Sequence, residues 1–169
     1  MNMNRIAGGA CALLLSATVA FASPGHGNGP AYGQAGHEAE VDRVIEVSMD
    51  EMTYTPARIE VKEGETIKFV VSNDGRAVHE FNLGTDQTWN GHRDEMQTMV
   101  KMGMMNMRQI RHEKMEEAGM MHDDPNSALL EPGQTAEVIW TFSEATQMGF
   151  ACNLPGHREA GMVGEVVFE

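Results

Sequence analysis

Cysteine is nearly missing from these 169 residues: Cys11 and Cys152 are the two. Cys11 lies in an N-terminal stretch that reads as a removable export signal. Arg5 supplies a positive start, an almost uncharged run rich in Ala and Leu follows, and Ala20-Phe21-Ala22 has the small-residue pattern of a cleavage site. A mature chain beginning near Ser23 would keep one thiol, which excludes a disulfide framework within the chain. A lone exported thiol is reactive, intermolecular or metal-bound. Basic residues are scarce too, with 12 Lys and Arg against 25 Asp and Glu. Losing Arg5 leaves 11 bases against the same 25 acids, a balance that argues against nucleic acid or anionic lipid as partners. No later apolar run approaches membrane-spanning length, so no membrane insertion is expected after signal removal.

The remaining chain suits one domain. Residues 23–40, dominated by Gly, Ala and Pro with His26 and His37, read as a flexible leader whose histidines would bind metal weakly at most. From Val41 the pattern changes to period two. Alternating runs at 41–49, 58–62 and 66–71 are bounded by Pro56, Glu63-Gly64 and Asn73-Asp74-Gly75, and further runs follow at 136–142, 149–152 and 164–168. Short strands at regular spacing predict an all-β antiparallel sandwich or barrel spanning 41–169. Residues 85–127 interrupt that pattern. They are rich in helix formers, are closed by Asp123-Asp124-Pro125, and predict one or two inserted helices with a break at Gly103.

The chemistry concentrates near the C-terminus. Cys152, His157 and Met162 follow one another at spacings of five, and His79 lies upstream in Ala77-Val78-His79-Glu80-Phe81. Two imidazoles, a thiolate and a weak thioether form the ligand signature of a mononuclear type 1 copper site. Thiolate suits Cu(I), imidazole suits both oxidation states, and a distant thioether tunes the potential. Singly, each residue has an ordinary reading as an inert buried Cys, a surface or core His, or a core-filling Met. Their clustering in one short loop favours the metal.

At this point the chain resembles the cupredoxin family. The resemblance is carried by residues 59–73 (Ile59-Glu-Val-Lys-Glu-Gly-Glu-Thr-Ile-Lys-Phe-Val-Val-Ser-Asn73), His79, Pro132-Gly133-Gln134-Thr135, and residues 150–164 around Cys152, His157 and Met162. It covers 41–83 and 129–169 but neither the leader nor the insert. It implies an eight-stranded Greek-key β-sandwich with type 1 copper bound by His79, Cys152, His157 and Met162. Many electron-transfer members carry Asn or Ser after the first His, where this chain has Glu80, so the tuning of the copper is expected to differ.

Nine of the fifteen methionines fall in the insert: Met96, Met99, Met102, Met104, Met105, Met107, Met115, Met120 and Met121. Thioethers select Cu(I), and pairs such as Met96/Met99 and Met99/Met102 would share a helical face. His92, His112 and His122 add imidazoles that could hold Cu(II). Two other readings stand beside extra copper binding: adaptable core filler, and a Met-rich surface for docking another protein.

The layout as a whole resembles periplasmic copper-resistance cupredoxins of the CopI type. That resemblance implies a periplasmic protein of copper tolerance or homeostasis, with a redox-active copper and further Cu(I) held by the insert. The partners expected are copper ions and another periplasmic copper or redox protein. A dedicated electron carrier of a respiratory chain is the alternative, since four ligands suffice for it. An enzyme is not expected, because oxidases and nitrite reductases need further His clusters, whereas the remaining histidines here are scattered.

Overall fold

The computed structural model describes residues 32–121, 124–144 and 146–169. The expected export signal (1–22), the leader as far as residue 31 and His122 lie outside the described residues.

Among the described residues, ten strands form two five-stranded sheets. One has the order β1-β8-β5-β2-β3, from Gly33–Ala35, Thr135–Phe142, Thr66–Asn73, Arg43–Asp50 and Thr53–Thr55. The other has the order β4-β10-β9-β6-β7, from Arg58–Val61, Val163–Phe168, Met148–Ala151, His79–Gly84 and Ser127–Leu130. The strands expected at 41–49, 58–62, 66–71, 136–142, 149–152 and 164–168 are therefore present, extended or trimmed by a residue or two. The alternating burial of β5 and β8 shows why period two revealed them: one face of each strand enters the core and the other does not.

Three features depart from expectation. Two short strands, β1 and β3, bring the total to ten instead of eight. The sandwich is not purely antiparallel, since β2 runs parallel to β5 and β4 parallel to β10. The cause is a crossover: after β2 and its hairpin partner β3 the chain changes sheet for β4, then returns as β5 beside β2. Finally, the expected leader ends earlier than Glu40. Tyr32 is buried with its ring 5.8 Å from that of Trp140, β1 pairs with β8, and Glu38–Glu40 forms a 3₁₀ turn from which Glu38 meets Lys68 at 2.7 Å. Composition hid this, because Tyr32 is the one large aromatic in a stretch otherwise made of Gly, Ala, Pro and polar residues.

The core lies between the sheets around Phe69, Phe81, Phe142, Phe150 and Trp140, all fully buried. Phe81 touches Phe69 and Phe150 at ring separations of 5.3 and 5.2 Å, and Tyr54 stands edge-on to Phe150 at 5.0 Å. This packing surrounds β6, β9 and the hairpin β2–β3, where the candidate ligands begin.

The insert is helical as predicted. Helix α1 spans Asp86–Lys101 and α2 spans His112–Glu117. Thr85 caps α1 reciprocally with Thr88, and the break comes at Met102-Gly103, where Gly103 has φ +67°. Trp89, His92, Met96 and Met99 are the buried residues of α1, spaced along one face. The helix comes close to β6 because Gly84 has no side chain: a Cβ there would lie 2.7 Å from Trp89 Nε1. Every residue of β6 is buried, the polar Glu80 and Asn82 as well as the apolar Phe81 and Leu83. Among the described residues no helix is long and apolar enough to cross a membrane.

Candidate metal centre

β6 begins at His79, and the turn before it is pinned by the buried Asn73. Its amide donates to the carbonyls of Ala77 and Leu130, both at 2.8 Å, while its Oδ1 accepts from Gly75 N at 3.1 Å. Val78 N donates to the carbonyl of Met107 at 2.7 Å, so the insert also ties down the residue preceding His79. Cys152 follows directly on β9. The chain then turns through 153–162, with His157 N bonded to Leu154 O, Met162 N to His157 O, and Cys152 N to Met162 O. The loop thereby closes on itself, bringing Met162 back beside Cys152 in backbone pairing.

His79, Cys152 and His157 converge: one ligand atom of each lies within 4.8 Å of the others, and all three residues are buried. Cys152 Sγ is 3.2 Å from His157 Nδ1, and the two imidazole rings are 5.1 Å apart. Met162 is fully buried in the cluster that contains Cys152. Both ring nitrogens of His79 are buried without a hydrogen-bond partner. A buried polar atom with no partner costs about 1–3 kcal/mol, and coordination to a metal would remove that cost. Burial, reinforced by the other imidazole, holds His79 below its usual pKa, and burial does the same for His157, so both rings are neutral and ready to ligate. Burial and then the Glu80 carboxylate push the Cys152 thiol up to about 12. A bound cation reverses that preference by stabilising the thiolate. Two neutral imidazoles, a thiol that needs a cation to ionise and a buried thioether fit copper.

Glu80 is where sequence reasoning stopped at noticing a departure. Its carboxylate is buried and fully engaged. Oε2 accepts from Asn153 N at 3.0 Å and Asn153 Nδ2 at 2.9 Å, while Oε1 accepts from His92 Nε2 at 2.7 Å and Ser127 Oγ at 3.0 Å. Its own N–H points at Cys152 Sγ, 3.4 Å away, and Tyr54 OH donates to its carbonyl at 2.5 Å. Burial alone would raise the Glu80 pKa, but the His92 charge and the Asn153 donors bring it below the ordinary value. Conversely, burial would lower His92, yet Glu80 and then Glu95, whose Oε2 is 3.2 Å from Nδ1, push it up to about 9. His92 is thus an imidazolium with a carboxylate at each nitrogen. Asn153 and the Glu80–His92 pair carried no sequence signal beyond the unusual Glu80, because only the folding of α1 over β6 brings them together.

The other insert candidates divide by burial. Met96, Met99, Met104, Met105 and Met115 are built into the core, and Met120 packs partly against it. Met102, Met107 and Met121 are 55%, 69% and 52% exposed, and His112 is exposed. The methionines therefore form no single face. Met96 and Met99 point inward as a pair, whereas Met102 caps the helix and faces out.

Residues 41–169 match the family model for copper binding proteins of the plastocyanin/azurin family. Two relatives are described as copper-resistant cuproprotein CopI. The one from Pseudomonas aeruginosa is 44% identical over 161 residues, covering 89% of this chain and 88% of the relative. The one from Rubrivivax gelatinosus is 38% identical over 170 residues, covering 93% and 92%. Among solved structures, a dithionite-reduced auracyanin from Roseiflexus castenholzii superposes with a TM-score of 0.55 at 18% identity, covering 76% of this chain and 98% of the auracyanin, which supports the fold.

Proposed function

The chain belongs to the plastocyanin/azurin family of copper-binding proteins, as a cupredoxin of the CopI type, and from that premise we propose that it is an exported periplasmic protein of copper tolerance. In this reading His79, Cys152, His157 and Met162 hold one redox-active copper, and the exposed Met102, Met107 and Met121 take up further Cu(I). The observation that carries the copper site is His79, whose two ring nitrogens are buried and unpartnered and which offers one of them within 4.8 Å of donor atoms of Cys152 and His157. Copper bound there supplies a one-electron step between Cu(I) and Cu(II). The chain's own contribution is to keep both imidazoles neutral, shield the thiolate from water and hold the loop so that neither oxidation state requires rearrangement. Similarity along most of the chain to two copper-resistant cuproproteins supports the tolerance role, as against a dedicated respiratory electron carrier. We read it as a binding and redox protein, with no enzyme activity of its own and a periplasmic copper or redox protein as partner.

The test leaves the helices intact, because deleting residues 85–127 would strip Met96 and Met99 from the core. Met102, Met107 and Met121 are instead replaced together by Leu. The triple variant is expected to keep one copper with its thiolate charge-transfer band, to bind fewer Cu(I) equivalents, and to protect cells less against copper. Unchanged Cu(I) stoichiometry and unchanged tolerance would sink the storage role. A respiratory defect without copper sensitivity on gene deletion would favour the electron carrier.

A further inference from the structure

The loop that bears Cys152, His157 and Met162 is gripped from outside at two places, and one helix does the gripping at both. The first place is Asn153, directly after Cys152, whose backbone N–H and side-chain amide both donate to Glu80 Oε2. Glu80 is 2% exposed, and a carboxylate taken that far out of water needs a compensating charge. α1 supplies it through His92 at 2.7 Å. The second place is Arg158-Glu159, directly after His157. Arg158 Nη2 donates to Asn90 Oδ1 at 2.5 Å with its guanidinium 6.0 Å over the Trp89 ring, and Arg93 Nη1 donates to Glu159 Oε1 at 2.9 Å.

Trp89, Asn90, His92 and Arg93 all lie in the first half of α1, and that half is itself firmly seated. Thr85 caps it, Trp89 Nε1 donates to Asn82 O at 3.2 Å, and Met96 and Met99 anchor the following turns in the core. The two grips are not equal. Arg93 and Glu159 are 36% and 52% exposed, and ion pairs of that kind contribute about 0–1 kcal/mol. The buried His92–Glu80–Asn153 chain carries the greater weight.

We propose that α1 is a splint for the copper loop: by clamping Asn153 through Glu80, His92 positions Cys152 and thereby sets the spectrum, affinity and reduction potential of the bound copper. The insert then acts on the copper centre itself, whether or not it also stores metal. His92 is a positioning residue, since it reaches no ligand directly. The inference rests on copper being held at His79, Cys152, His157 and Met162.

The test uses full-length, copper-loaded protein and the variants His92→Gln and His92→Leu, each made alone and with Glu80→Asn. Both single variants are expected to shift the thiolate charge-transfer bands and the reduction potential, Leu more than Gln. Copper affinity should fall roughly tenfold for Leu, as is typical when support behind a metal ligand is removed. In the Glu80→Asn background neither His92 variant should change spectrum or potential further, because the carboxylate through which His92 acts is gone. Wild-type bands and potential in His92→Gln, even with a lowered melting temperature, would overturn the proposal and leave His92 a purely structural residue. Equal shifts with and without Glu80 would overturn it too. If His92→Leu does not fold, the His92→Gln arm decides. Wild-type protein that bound no copper with a charge-transfer band would instead refute the copper reading on which the inference rests.

Discussion

Met162 and Met99 are both fully buried thioethers in one copper-binding protein, yet they sit in opposite kinds of surroundings. Met162 closes a loop whose backbone ties it to Cys152 and His157, two of the three residues whose donor atoms converge. Met99 lies on a helix face with Trp89 and Met96 and fills the core. The difference is one of setting: a soft side chain is placed to serve as a metal ligand where other donors converge beside it. Where they do not converge, the same flexibility makes it a gap filler. Density of methionine along the chain therefore does not by itself separate the buried fillers, such as Met96 and Met99, from the exposed Met102, Met107 and Met121.

The strongest way to break this comparison is to remove a donor from each region. Cys152→Ser is expected to abolish the charge-transfer band and most of the copper affinity, while Met99→Leu leaves both intact; absorption spectra and copper titration check this. A Met99→Leu variant that lost the band would erase the distinction between the regions. Next in size is stability. Met99→Ala should cost about 2–5 kcal/mol in denaturant unfolding, whereas Met102→Ala should stay within about 0.5 kcal/mol. If the two cost the same, the assignment of Met99 to the core and Met102 to the surface fails.

The smallest expected effect concerns the joint between the regions. His92 has a pKa raised to about 9 by Glu80 and Glu95, above its ordinary value of 6.5. Its contribution to stability is fully present below pH 6.5 and is lost as pH rises through about 9. Unfolding free energy of wild-type protein should fall over that window more steeply than that of His92→Gln. Parallel pH curves for the two would show that His92 is not charged in the folded state.

Much of the fold was legible because half-buried strands print their geometry as alternation, as in Thr66–Asn73 and Thr135–Phe142. The helical insert was legible from its helix formers and the Gly103 break. β6 was not, because its buried polar residues His79, Glu80 and Asn82 make a strand covered on both faces look like a polar segment. β1 was hidden in a Gly- and Ala-rich segment that one buried tyrosine anchors. Of the site, Cys152, His157 and Met162 were legible because they share one short loop or its flank, and His79 because it completes their donor set; the structure gathers His79, Cys152 and His157. Asn153, Asn73 and the pairing of His92 with Glu80 were not, since each works through contacts between elements distant in sequence.

By itself the sequence determined the donor set, since thiolate, imidazole and thioether are properties of side chains, and the all-β class of the fold, since alternation follows from local backbone geometry. Tertiary structure alone decided which methionines are core and which are surface, and what holds the copper loop in place. Burial and the strength of a charge pair depend on what the rest of the chain places around a group. For Glu80 that neighbour is His92, twelve residues along the chain and 2.7 Å away in space.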